Sequence, residues 1–473
     1  MKTPAPLSRR RFLGQASCAA ISSLPVLSTL LNLRLAGTVA AAVPTNEYRA
    51  IVCIFLNGGN DSFNMLAPRG NDGGYAEYAA VRQDLALPQA SLLPITPLGY
   101  SGPQLGIHPG MPQLQALFEN GRAAFVANVG TLIEPVTKAQ YLAGSIPVPL
   151  GLFSHSDQIE QWQTSMPHQR SGIGWGGRAA DLLHSLNATQ TVSMNVSLSG
   201  NNVFQTGNDI FEYAIADTGA TELAGYKKTW LLNDEARQAR SAAVDGMLAR
   251  QYSNLLQRSF ARSERSALDA YELFTTATSG TLPPGAIFAN GGSPALVKQM
   301  QMIVKTIAGR TALGATRQTF FASLGGWDHH DEVLTNQAAM LPIVSQAVGG
   351  FYDALVALGI QNNVTLFLAS DFGRTLSSNG QGSDHAWGGN VFVVGGAVNG
   401  RRIHGTYPAL YDGSPADVGR GRLIPTTSVD AYFAELALWL GVPKTSLPLV
   451  LPNIANFHNL ASAANPIGFL PVP

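Results

Sequence analysis

The chain has 473 residues, 45% of them hydrophobic, with 30 basic and 30 acidic side chains. That length supports one large core or two modest ones, and the even charge balance excludes bulk attraction to nucleic acid or to an anionic membrane. Only 13% of residues are charged, and there are 49 Gly and 28 Pro, a composition that fits a compact, loop-rich, exported protein rather than a disordered one.

Ser8-Arg9-Arg10-Arg11-Phe12-Leu13 fits a twin-arginine signal. A weakly apolar stretch follows from Gly14 to Leu35, and Ala40-Ala41-Ala42 offers small residues for cleavage. Residues 1–42 are therefore expected to be a signal peptide, read by the twin-arginine translocase and removed. The mature protein would then be periplasmic or secreted. Arg34 and the polar residues of the apolar stretch make it a poor span, so no stable membrane anchor is expected. Cys18 lies in this segment, and Cys53 is the only mature cysteine, so no intramolecular disulfide can form. Cys53 sits in an apolar run and reads as a buried, inert thiol.

Arg49 to Leu56 is an apolar run of strand length that ends in Gly58-Gly59-Asn60-Asp61. A helix is expected after His108-Pro109, with Met111, Leu114, Leu117 and Phe118 at helical spacing and Gly121 as its stop. Ala123 to Val129 is the next strand, which makes a β-α-β unit and implies a parallel sheet. Glu222 to Thr276 reads mostly as helix, and the region from about 222 to 313 as a helical insertion. Then come a strand at Phe320–Leu324, a helix at Glu332–Leu358, strands at Val364–Ala369 and Asn390–Val394, and a late helix over Thr427–Leu440. The tail from Pro443 is Pro-rich and is expected to wrap the surface. Residues 43–473 thus read as one α/β domain carrying an insertion.

The chemistry-bearing residues follow strands. In an open α/β sheet, ligands bind outside the carboxyl ends of the strands. Asp61 closes a Gly-rich turn, and suits either a ligand or an Asx-type turn cap. Asp328 and His330 lie two apart in GGWDHH, so an extended segment would point both the same way. Asp371 ends a strand, with Arg374 three residues on. Arg374 could clamp phosphate or sulfate oxygens, or pair with Asp371 itself. Asp384-His385 stands in a Gly/Ser-rich loop before the next strand. Carboxylates and imidazoles together are a donor set for a divalent metal. Ser154-His155-Ser156-Asp157 precedes a helical run, where Ser156 or Asp157 could be a cap, and where a hydroxyl beside a metal could be a nucleophile. His108 reads as structural.

These motifs, GGNDSFN at Gly58, the His-Pro helix at His108, FSHSDQ at Phe153, GGWDHH at Gly325, SDFGRT at Ser370 and DHAWG at Asp384, together with GRLIPTTSVDAYFAELALWLGV near the end, resemble the twin-arginine-exported bacterial family called domain of unknown function 1501. That family is similar to the alkaline phosphatase and sulfatase superfamily. The resemblance implies a three-layer α/β/α sandwich with a mostly parallel sheet and a site of one or two divalent ions, of Zn, Ca, Mg or Mn type. It implies Asp61, Asp328, His330, Asp371 and His385 as metal ligands, and Ser154 as nucleophile with His155 beside it or standing in as a ligand. Arg374 would hold the anion. Two departures stand out. Asp371 is followed by Phe372 where the superfamily has His, so a second ion would lack a ligand or be absent. The formylglycine motif is missing at Cys53 and at Ser154. The expected activity is hydrolysis of an anionic phosphate or sulfate ester. The alternatives are a non-catalytic envelope binding or assembly protein, and a phosphotransferase or mutase with a second substrate pocket.

Overall fold

The computed structural model describes residues 47–224, 226, 235–283 and 294–471. The expected signal peptide and Cys18 lie outside these residues.

Nine strands form the main sheet: β1 (Arg49–Leu56), β2 (Ala123–Gly130), β3 (Asn195–Ser197), β4 (Tyr213–Ala214), β5 (Arg317–Leu324), β6 (Val364–Ser370), β7 (Gly389–Val394), β8 (Ile403–His404) and β9 (Thr427–Ser428). Their order is β8-β2-β7-β6-β1-β5-β3-β4, with β9 also on β2. Only β7 runs antiparallel, against both β2 and β6. The sheet is therefore mostly parallel, as expected, and its strands are buried on both faces, which is why they read as continuous apolar runs.

The register at the centre positions the site. Leu56 at the end of β1 pairs with Leu324 of β5 on one side and with Ser370 of β6 on the other. Three neighbouring parallel strands thus stop at one level. Their following loops, which start at Asn57, Gly325 and Asp371, emerge side by side. Because β7 is antiparallel, it enters the sheet at that same edge, so the Asp384-His385 loop just before it arrives there too.

Helices cover the sheet in two groups, giving the three-layer sandwich. Pro112–Glu119, Val333–Ala357 and Ala295–Ala308 pack together, the last on β5. Val429–Leu440 lies on β1 and β2, with Leu447–Val450, Trp175–Leu183 and His155–Thr164 making up the second group. Trp175 stacks on Phe433 at 4.6 Å between ring centres. Among the described helices, Val333–Ala357 alone is long and apolar enough to cross a membrane; its buried residues, Leu341, Val344 and Phe351 among them, belong to the main core.

The region expected as a single helical insertion to about residue 313 divides. Glu235–Leu248 and Leu255–Ala277 pack on one another, and Phe274 of the second meets Tyr213 at the sheet edge. Ala295–Ala308, by contrast, is part of the helical layer on β5. The C-terminal tail does wrap back: buried Glu435 accepts the backbone N–H groups of Ile467, Gly468 and Leu470. Several short elements gave no periodic signal, among them β3, β4, β8 and a separate three-stranded sheet of Leu66–Pro68, Leu105–Ile107 and Leu93–Pro94. Two or three residues are too few to show a period.

Candidate metal centre

Three histidines and one aspartate meet at the carboxyl edge of the sheet. Asp328 and His330 come from the loop after β5, and His385 from the loop before β7. His155 is the first residue of the helix His155–Thr164, which Ser154 precedes at the N-cap position. His155 Nε2 and His385 Nε2 each lie 3.4 Å from Asp328 Oδ1, and His330 Nε2 lies 3.0 Å from it. His330 Nε2 and His385 Nε2 are 2.9 Å apart. His155, Asp328 and His385 each offer a donor atom within 4.8 Å of the others'.

The other nitrogen of each ring is occupied. His155 Nδ1 meets Asp371 Oδ2 at 2.7 Å, His330 Nδ1 meets Asp384 Oδ1 at 3.1 Å, and His385 Nδ1 donates to the Phe153 carbonyl at 2.8 Å. A carbonyl and an ionised carboxylate only accept, so each Nδ1 carries a proton, and in a neutral ring Nε2 then presents a lone pair. Three lone pairs and a carboxylate oxygen then face one point. Burial lowers the His385 pKa, with the Phe153 carbonyl opposing it. Two nitrogen lone pairs 2.9 Å apart repel unless a cation or an added proton lies between them. His155 Nε2, itself buried, has no hydrogen-bond partner. The donor separations approach the edge of a tetrahedron of bonds about 2.0–2.1 Å long, which is about 3.4 Å. The residues present therefore fit a divalent ion held by His155, His385 and Asp328, with His330 Nε2 a further donor beside Asp328 and His385. The site is accessible: the side chains of Asp328 and His330 are 47% and 46% exposed.

The surroundings hold these groups in place. Phe372, next to Asp371, packs its ring 4.8 Å from His155 and 4.7 Å from His385. Phe153 adopts a left-handed backbone, φ 72°, which aims its carbonyl at His385 and is costly for an aromatic residue. The Arg422 guanidinium lies 4.8 Å over the Phe153 ring, and its Nε donates to the His385 carbonyl. Gly58 has φ +121°, and a Cβ there would come 2.4 Å from the Asp328 nitrogen. Only glycine lets the turn after β1 pass against the Asp328 loop.

The four other residues expected in the site have different partners. Arg374 is fully buried and cannot hold a substrate anion. Its Nε donates to the Gly59 carbonyl, Nη1 to that of Ser383, and Nη2 to those of Gly58 and Trp327 and to Asp328 Oδ1 at 2.5 Å. It is a clamp joining three loops. Burial would raise the Asp328 pKa, but this guanidinium outweighs burial and holds it below the usual range. Asp371 is not among the convergent donors either. Its Oδ1 accepts the Gly58 N–H at 3.0 Å and its Oδ2 faces His155 Nδ1. Burial raises its pKa, and those two contacts oppose the rise. Asp61 also stands apart, in a fully buried ion pair with Arg82. The Ser154 hydroxyl lies 3.2 Å from that of Ser156.

Three contributors escaped the sequence reading. Arg82, at the end of the helix Gly74–Arg82, also donates to the carbonyls of Thr375 and Leu376. Asp384, seen only as the neighbour of His385, supports His330 and pairs with Arg420. Burial raises its pKa, but bonds from Asn379, Arg420 and His330 prevail and bring it to about 2. Arg420 adopts a left-handed backbone, φ 62°, between Gly419 and Gly421. Asp417 braces this turn by accepting the N–H groups of both glycines.

The model of the family described as "Protein of unknown function (DUF1501)" matches residues 48–418, and the chain belongs to that family. No curated protein matches it. Among solved structures it is similar to the lipoteichoic acid synthase LtaP from Listeria monocytogenes, with 9% identity, 87% of this chain and 76% of that one covered, and a TM-score of 0.33. It is similar also to the soluble domain of lipooligosaccharide phosphoethanolamine transferase A from Neisseria meningitidis, with 10% identity, 86% and 94% covered, and a TM-score of 0.30. A 2-O GAG sulfatase matches at 9% identity, 80% and 72% covered, and a TM-score of 0.27. At such values the site must be read from its own geometry.

Proposed function

We propose that this member of the DUF1501 family is a metal-dependent hydrolase of phosphate or sulfate esters, exported by the twin-arginine translocase to the periplasm or beyond. The observation that carries the reading is the convergence of three Nε2 lone pairs and Asp328 Oδ1 at a half-exposed edge of the sheet. An ion held there would supply Lewis-acid polarisation of an ester oxygen and would acidify a bound water. A set rich in imidazole with one carboxylate suits Zn better than Ca, Mg or Mn, which favour oxygen donors. Asp371, Asp384 and the Phe153 carbonyl hold the Nδ1 protons and so aim the rings. Arg420, half exposed beside Asp384, and Arg422, beside His385, put two guanidiniums near the rim where an anionic ester would approach. Water is the nucleophile in this reading, because the Ser154 hydroxyl faces Ser156 and has no base among its contacts. The arginine motif at Ser8–Leu13 supports export.

The test is turnover of a phosphomonoester, a phosphodiester and a sulfate ester by Zn- and Mn-loaded protein. The reading expects hydrolysis of at least one, abolished by a chelator and by Asp328→Ala. A folded, metal-loaded protein inert towards all three would instead identify a non-catalytic envelope binding protein.

A further inference from the structure

Beneath and beside the histidines lie charges, some buried and some half exposed, whose partners are all internal. Asp61 and Arg82 are both fully buried and pair directly. Arg374 is fully buried and reaches Asp328. Arg420 covers Asp384. Asp371 carries no guanidinium and instead faces His155 Nδ1 and the Gly58 N–H. Counting Arg422 on the His385 carbonyl, four carboxylates face four guanidiniums, leaving no net charge when the imidazoles are neutral. One divalent ion brings the centre to two positive charges. A second would raise it to four, where like charges repel.

From this layer we infer that the centre takes a single divalent ion: Arg82 occupies the cation position on Asp61, and Asp371 is the positioning carboxylate that aims His155. The inference rests on the metal reading given under Proposed function and narrows it. The obvious rival position for a second ion is around Asp61. Among the described residues, Asp61 Oδ1 and both ring nitrogens of buried His329 have no hydrogen-bond partner. A cation there would face the Arg82 guanidinium, which already pairs with Asp61. Neutral water meets no such repulsion. Asp371 matches the outer carboxylate that commonly accepts from a metal-bound histidine, fixing its tautomer and its direction. The net positive charge would also favour an anionic ligand.

The experiment is titration of metal-stripped protein with Zn²⁺ by calorimetry, elemental analysis of the loaded protein, and the visible spectrum of the Co²⁺ form. Wild type should bind one equivalent. Replacing the buried pair by Asp61→Asn with Arg82→Met removes both charges together, avoiding a lone buried ion, and should leave one equivalent bound. Asp371→Asn should also bind one equivalent, about 10–100-fold more weakly, with a changed Co²⁺ spectrum and an unchanged far-UV circular dichroism spectrum. Two equivalents in wild type, with one lost in the double variant, would overturn the single-ion inference and leave the metal reading standing. Unchanged affinity and spectrum in Asp371→Asn would overturn the positioning role. A folded protein that binds no metal would overturn the metal reading and this inference with it.

Discussion

The two layers at the carboxyl edge of the sheet use the same residue types for opposite ends. In the outer layer, His155, His330, His385 and Asp328 keep one donor atom each directed at a common point. In the layer beneath, Asp61, Asp371, Arg82 and Arg374 direct their charges inward, to each other, to backbone or to the outer layer's support. An Asp at the end of a strand is thus not a ligand by position alone. What decides is whether a permanent cation or an N–H reaches it first. Asp328 shows the intermediate case, since it touches Arg374 and still faces three imidazoles.

The largest expected effect falls on the outer layer. His155→Ala or Asp328→Ala should reduce metal affinity by more than the 10–100-fold typical of an outer partner, measured by equilibrium competition with a chromogenic chelator. In the inner layer the loss should appear as stability. Arg82→Ala leaves Asp61 as an uncompensated buried charge, and should cost about 3–5 kcal/mol in denaturant unfolding. A fully exposed pair would cost well under that, so a loss below about 1 kcal/mol would erase the distinction between the layers.

A third carboxyl separates burial from pairing. Asp430, fully buried in the helix Val429–Leu440, has its pKa pushed up to about 7 by desolvation. Between about pH 4 and pH 7 the native state therefore holds a proton that the unfolded chain has released. Stability should fall as pH rises through that window, by up to about 4 kcal/mol for this group. Asp430→Asn should flatten that part of the stability profile. Gly58→Ala should cost at least the 1–3 kcal/mol of a forced left-handed backbone, and should displace the Asp328 loop, seen as weaker metal binding. Ser154→Ala should have the smallest effect, with kcat/KM unchanged within about threefold, under 1 kcal/mol. A loss of several hundredfold would restore Ser154 as the nucleophile.

The main strands and their order of appearance were legible because each carries a largely apolar run, such as Arg49–Leu56 and Val364–Ser370. Asp328, His330 and His385 were legible because Asp and His rarely follow such runs without a reason. The layer beneath was not. Arg82 ends a helix with no motif, and only the fold brings it to Asp61, 21 residues earlier in the chain. The role of Asp371 depends on which way its carboxylate turns, which spacing does not encode. Phe153 and Arg420 hold left-handed backbones that their residue types disfavour, so sequence argues against the very conformations that support the site.

The most direct test of the centre is a crystal structure of the Zn-loaded protein with anomalous scattering recorded at the zinc edge. The account predicts one strong peak bounded by Nε2 of His155, His330 and His385 and by Oδ1 of Asp328. A peak centred on Asp61 or Asp371, or no peak after loading a folded protein, would contradict it.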